Sequence, residues 1–147
     1  RAKFDQLMTD PETARAVDYL GFVSGEGKER ALQQCDLFCF PTYYLGENQP
    51  VNLIEAMAYG LPIITTRWRS LSEMFQPDYP GLVAIRSPDK TAAALLNLMT
   101  QETGEGFRQM FLARFTLEAH LTKLAEAIAT VGQPETPLVP ASAPASR

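Results

Sequence analysis

The sequence predicts a parallel α/β fold, a sheet with helices on both faces. Short apolar runs alternate with stretches of helical apolar spacing, which is the order of a parallel sheet with crossover helices. The segment from Pro50 to Pro62 carries a helix start, a glycine stop and a following strand in direct succession. A composition of 46% hydrophobic and 20% charged residues is near the average for a globular body.

In chain order, strands are expected near Ala16 to Leu20, Leu37 to Phe40, Leu61 to Thr65 and Gly81 to Ile85, with helices between them. Pro50 suits the first helical position, because its ring presets φ and the N–H it lacks would have no partner there. Asn48 or Gln49 then takes the cap. Val51, Ile54 and Ala58 share one face of a helix to Tyr59, and Gly60 is its stop. Ser87 as cap and Pro88 as first residue open a second helix toward Met99, with Leu95, Leu96, Leu98 and Met99 as core material. A third covers Thr116 to Thr130, where Leu117, Leu121, Leu124 and Ile128 make one face. His120 neighbours Leu117 and Leu121 and completes that amphipathic surface rather than serving as a base. Residues 1–131 make one domain's worth of chain, and the Pro/Ala/Ser-rich stretch 132–147 is expected to be a disordered tail.

The chemistry concentrates in the run Gly46 to Pro62. A helix start exposes unpaired N–H groups and the positive end of a dipole, so the loop before Pro50 suits a phosphate or diphosphate. Glu55 lies five residues on from Pro50, about 7 to 8 Å at helical rise. That span fits a diphosphate-to-ribose separation. An ionised carboxylate has only acceptor oxygens and can take both hydrogens of a vicinal diol, so Glu55 suits a ribose and Glu47 the hydroxyls of a sugar beyond the phosphates. The same spacing also fits a plainer role, in which Glu47 complements the helix dipole and Glu55 is a solvated helix residue.

Glu47 and Glu55, with seven residues between them and Ala56-Met57-Ala58-Tyr59-Gly60-Leu61-Pro62-Ile63-Ile64 following, resemble the E-x7-E signature of the group 1 (family 4-like) glycosyl transferases. Upstream, Val17-Asp18-Tyr19-Leu20-Gly21-Phe22-Val23 and Cys35-Asp36-Leu37-Phe38-Cys39-Phe40-Pro41-Thr42 resemble two further segments of that family in the same order. The resemblance runs from about residue 10 to residue 130 and implies part of the C-terminal, nucleotide-sugar-binding Rossmann-like domain of a GT-B enzyme. It implies that Glu55 binds the donor ribose and that Glu47, the catalytic candidate, approaches the donor sugar. The backbone of Asn48, Gln49, Pro50 and Val51 would meet the diphosphate. The implied reaction moves a sugar from a nucleoside diphosphate to an acceptor hydroxyl with retention, without cofactor or metal, and rests on stabilising the departing diphosphate. A noncatalytic nucleotide-sugar or protein-binding module of the same fold is the alternative.

Two departures stand out. Asn48-Gln49-Pro50 occupies the place where many relatives have Phe-Gly, and Arg67-Trp68-Arg69-Ser70 stands where the family often has a Gly-Gly turn. Arg67 or Arg69 in that turn has the chemistry to reach a phosphate, although loop arginines are usually solvated. The family's diphosphate-clamping Arg/Lys pair and its N-terminal acceptor-binding domain lie upstream of the segment that the chain matches, so both are expected partners and the chain alone is expected to be inactive. In the doubly wound order 3-2-1-4-5-6 the strands here would be the third to sixth, which leaves the Leu37 to Phe40 strand with an open edge for association.

The net charge of -4 argues against a nucleic-acid partner. No apolar stretch approaches the length needed to span a bilayer. The two thiols, Cys35 and Cys39, fit a reducing, cytoplasmic setting, with a membrane-surface role left open because some relatives of the resembled family use lipid-linked acceptors. Cys35 and Cys39 have no His or Cys companions at metal-ligand spacing and are expected to be buried thiols.

Overall fold

A computed structural model describes residues 2–100 and 104–131. The chain falls into two compact units, Arg1–Cys35 and Asp36–Arg147. The expected tail, residues 132–147, lies outside the described residues.

The first unit holds three helices, α1 (Ala2–Leu7), α2 (Pro11–Ala16) and α3 (Gly25–Gln34). Asp10 caps α2, its Oδ2 accepting from the Thr13 N–H and the Thr13 hydroxyl, each at 2.8 Å. Those donors hold the Asp10 carboxyl below its ordinary value. The strand expected over Ala16 to Leu20 does not form: Ala16 ends α2, and residues 17–20 have no regular structure. An isolated extended segment has no ladder to satisfy its backbone, and no strand pairs with this one among the described residues. Tyr19 instead packs its ring 4.9 Å from that of Phe4, and Leu20 and Phe22 stay exposed.

The second unit is the Rossmann-like parallel α/β body. Its sheet runs β1 (Phe38–Phe40), β2 (Ile63–Thr66) and β3 (Leu82–Val83) in that spatial order, all parallel, with Phe38 opposite Ile63 and Thr65 opposite Leu82. Helix α4 (Val51–Ala58) connects β1 to β2, and a 3₁₀ helix (Arg69–Met74) leads from β2 towards β3. Three further helices follow: α5 (Pro88–Leu98), α6 (Gly104–Arg114) and α7 (Leu117–Val131). Three of the four expected strands are therefore present, each shortened at one or both ends.

Every residue of β2 is buried, as a central parallel strand covered on both faces requires. Ile64 joins Val83, Ala94 and Leu98 in one core cluster, with Leu37, Tyr79 and Leu95 packed against it. Leu96 and Met99 are exposed, contrary to expectation, because α5 turns its Ala94 and Leu98 stripe inward and carries those two on the far side. In α4 the inward stripe is Leu53, Ala56 and Met57, and Val51 is exposed while Ile54 and Ala58 are half-buried. Cys35 and Cys39 are both exposed, not buried. Cys35 follows α3, and Cys39 is exposed on β1, which among the described residues pairs on one side only. Among the described residues β1 is an edge strand of three residues, at the place where the open edge was expected.

Gly60 ends α4 with φ of 68°. Its N–H bonds the Met57 carbonyl and the Leu61 N–H bonds that of Ala56, each at 3.0 Å, which is the paired geometry of a Schellman cap. On α7 no residue is buried, and Leu117, Leu121, Leu124 and Ile128 lie open along one face.

Tyr79 ties the segment before β3 to β2. Its hydroxyl donates to the Ile63 carbonyl at 2.7 Å and accepts from the Ile63 N–H at 3.1 Å. Burial pushes its pKa up to about 12, against the pull of the Ile63 N–H. An unfolded tyrosine titrates near 10, so between about pH 10 and pH 12 the unfolded chain binds fewer protons and stability falls as pH rises. Tyr79→Phe is expected to flatten that fall in urea unfolding followed across this window, and to cost about 1 kcal/mol at neutral pH. An unchanged slope would show that this tyrosine does not supply it.

Candidate functional site

In an open parallel sheet, ligands bind beyond the carboxyl ends of the strands. Three segments emerge there: residues 41–50 after β1, 67–70 after β2 and 84–87 after β3. Two buried threonines of β2 fasten the first. Thr65 donates its hydroxyl to the Phe40 carbonyl at 2.8 Å, and Thr66 donates to the Thr42 carbonyl. Both hydroxyls are thereby satisfied, as buried polar groups require.

The chain then makes a turn closed by the Glu47 N–H on the Tyr44 carbonyl, 3.1 Å away. Tyr44 and Leu45 are exposed, and Glu47 is half-buried. The Arg86 guanidinium lies 5.1 Å from the centre of the Tyr43 ring, a cation–π contact joining the first and third segments.

Helix α4 begins one residue later than expected. Pro50 is its cap, extended at φ -67° and ψ 125°, and Val51 is the first helical residue. Neither Asn48 nor Gln49 caps it, and the cap position makes no side-chain hydrogen bond. Asn48 is otherwise engaged: its Oδ1 lies 2.6 Å and its carbonyl oxygen 2.8 Å from the Ser70 hydroxyl, which shares its one proton between them. Glu55 is therefore four residues from the helix start, about 6 Å along the axis, and is half-buried. Glu47, Asn48, Gln49, Pro50, Val51 and Glu55 thus lie on one continuous loop and helix, with Pro50 buried and Val51 exposed.

The turn after β2 gives the clearest departure from expectation. Arg67 donates to the Pro77 carbonyl at 3.2 Å and Arg69 to the Leu45 carbonyl at 2.8 Å, so both guanidinium groups lie on backbone oxygens. Trp68 donates its indole N–H to the Tyr44 carbonyl at 2.8 Å. For the two arginines the sequence expectation is a phosphate or solvent, and for Trp68 and Ser70 it names no role. The replaced glycine pair was the available signal, since Arg69 keeps a φ of 48° where a glycine would be relaxed.

Beside Gln49 opens a shallow cavity of about 490 Å³, lined also by Arg114, Phe115, His120 and Lys123. Three basic side chains thus border the loop, and His120 is exposed among them. A more apolar cavity of about 390 Å³, lined by Phe75, Tyr79, Pro80, Phe107 and Met110, includes no residue of the glutamate loop. Among the described residues, no three His, Cys, Asp or Glu side chains cluster as metal ligands would, and no helix is long and apolar enough to cross a membrane.

The chain is 25% identical over 126 residues to the amylovoran biosynthesis glycosyltransferase AmsK of Erwinia amylovora, covering 83% of this chain and 31% of that protein. It is 33% identical over 78 residues to a phosphatidyl-myo-inositol mannosyltransferase of Mycobacterium tuberculosis, covering 52% of this chain and 20% of the relative. The chain thus spans less than a third of the length of either. The family model for glycosyl transferases group 1 matches residues 2–101, which include all three sequence motifs and the loop and helix that carry Glu47 and Glu55. The chain therefore belongs to the group 1 glycosyl transferases.

Proposed function

We propose that this chain is the donor-binding part of a retaining, family 4-like glycosyltransferase of the GT-B fold, moving a hexosyl group from a nucleoside diphosphate to an acceptor hydroxyl. The observation that carries the reading is the start of α4. No side chain caps it, it follows directly on the Glu47 loop, and Glu55 stands half-buried about one turn in. Backbone N–H groups and the helix dipole favour an anion at that point, so the donor diphosphate is placed against residues 48–51. Glu55 then accepts the ribose hydroxyls, and Glu47 accepts hydroxyls of the transferred sugar. As the diphosphate departs its negative charge grows, and fixed N–H dipoles stabilise that charge without reorganising. No metal or cofactor is assigned a part.

Residues 1–131 serve in this reading as one nucleotide-sugar-binding domain working against a second, acceptor-binding domain, without which the chain is inactive. The open apolar face of α7 is suited to meet that domain. The mannosyltransferase's name supports a hexose as the proposed class of cargo, and a cytoplasmic, membrane-peripheral setting fits a lipid acceptor of the kind that the same name contains.

Titration of the folded protein with nucleoside diphosphates and their hexose conjugates tests the donor site. Glu55→Ala is expected to weaken binding about 10- to 100-fold, the loss of hydrogen bonds to a charged group. A folded protein that binds none of these ligands, or binds them equally well without the Glu55 carboxylate, would favour the noncatalytic module instead.

A further inference from the structure

The loop that carries Glu47 has little burial to hold it. Tyr44 and Leu45 are 70% and 72% exposed, and Gly46, Asn48 and Gln49 are exposed as well. Such a segment, with few apolar contacts, belongs to the low-stability end of a fold unless other bonds fix it. Thr66 and Arg86 fasten its start at Thr42 and Tyr43, and the bonds that reach it on either side of Glu47 come from one turn. Three consecutive side chains of the turn after β2 reach three carbonyls of the loop: Trp68 Nε1 to Tyr44 at 2.8 Å, Arg69 Nη1 to Leu45 at 2.8 Å and Ser70 Oγ to Asn48 at 2.8 Å. These carbonyls bracket Gly46 and Glu47 on both sides.

The turn itself is anchored. The Arg67 N–H bonds the Val83 carbonyl at 2.7 Å, extending the β2–β3 ladder, and Leu71 and Met74 just beyond are buried. Arg69 holds a φ of 48°, and a non-glycine residue in this region costs free energy that its surroundings must offset. Its guanidinium bond to Leu45 is one such offset.

We propose that Trp68, Arg69 and Ser70 are positioning residues that set the place of Glu47 against the donor sugar, a bonded staple standing where a glycine pair would leave the loop free. The inference rests on the donor-site reading above. It assigns the turn no contact with the ligand. Its effect falls on the sugar end, where Glu47 lies, and spares the ribose end, where Glu55 sits on α4.

The test uses the uninterrupted natural polypeptide and the double variant Arg69→Gly/Ser70→Ala. The glycine relieves the positive φ while deleting the guanidinium, so the melting midpoint is expected to stay within a few degrees of wild type. Calorimetric titrations are made with UDP-glucose, GDP-mannose, UMP and GMP. For whichever nucleotide sugar the wild type binds, the variant is expected to lose about tenfold in affinity, and less than twofold for the matching monophosphate. Ser70→Thr, which keeps the hydroxyl, is expected to retain wild-type affinity for both. An unchanged affinity for the nucleotide sugar, or an equal loss for sugar and monophosphate, overturns the positioning role. If the wild type binds and Glu55→Ala weakens it while the double variant does not, only this inference falls. A wild type that binds none of the four overturns the donor reading and this inference with it.

Discussion

Replacing Gly81 by alanine is expected to cost the fold about 3 kcal/mol and to lower the melting midpoint by roughly 10 °C. A Cβ at this position would run into the carbonyl oxygen of Ile63, and it would lie 2.5 Å and 2.8 Å from Cε1 and Cζ of Tyr79. The Ile63 oxygen belongs to the central strand and cannot retreat, because the Phe38, Thr65 and Arg67 amides pin β2 and its approach on both sides. The ring of Tyr79 would therefore have to leave. It is stacked on Phe75 with centroids 5.4 Å apart and meets the edge of Phe107 at 5.2 Å, so its departure opens the aromatic cluster that joins α6 to the sheet. It also breaks both hydrogen bonds to Ile63.

Gly106 is the control. It lies within α6, and a Cβ there meets nothing within 4 Å. Gly106→Ala is expected to raise stability by about 0.5 to 1 kcal/mol through helix propensity alone. Thermal and urea melts of the two variants check both signs. A mild effect at Gly81 would mean that β3 shifts away from β2 at little cost.

Much of this fold was legible because its punctuation is local. Pro50, Gly60 and Pro88 mark helix ends by backbone chemistry that no tertiary contact has to supply, and α4 and α5 fall within a residue or two of their expected bounds. Residues 16–20 differ from expectation because a short, largely apolar run makes a strand only where a ladder exists to receive it. The exposed Leu96 and Met99 misled for a related reason. Apolar spacing shows that a helix has an inner face, but how far α5 rotates over β2 and β3 depends on packing that the segment does not contain. The glutamates were legible through their spacing and sequel. The staple was not, since nothing in Arg67-Trp68-Arg69-Ser70 says that three side chains will turn back onto carbonyls more than 20 residues earlier, each bond spanning 22 to 24 positions of chain.

On the proposed reading, and in the protein that carries the acceptor-binding domain as well, Glu47→Ala is expected to lower kcat/KM for sugar transfer about 10- to 100-fold while leaving the affinity for the bare nucleoside diphosphate within about twofold. The magnitude is that of losing hydrogen bonds from the sugar hydroxyls to a charged acceptor. The selectivity follows from placement. Glu47 sits in the loop, three residues before the Pro50 cap, whereas the diphosphate is assigned to the helix start and the ribose to Glu55. Glu47→Gln keeps an acceptor of the same length without the charge and should fall between the two. The plainer role of Glu47, complementing the dipole of α4, makes the opposite forecast. It gives a loss of about 0.3 to 1 kcal/mol in stability, screened by salt, with turnover per folded molecule unchanged. Steady-state kinetics and salt-dependent melts on the same variant therefore separate a carboxylate that meets the sugar from one that only faces a helix end.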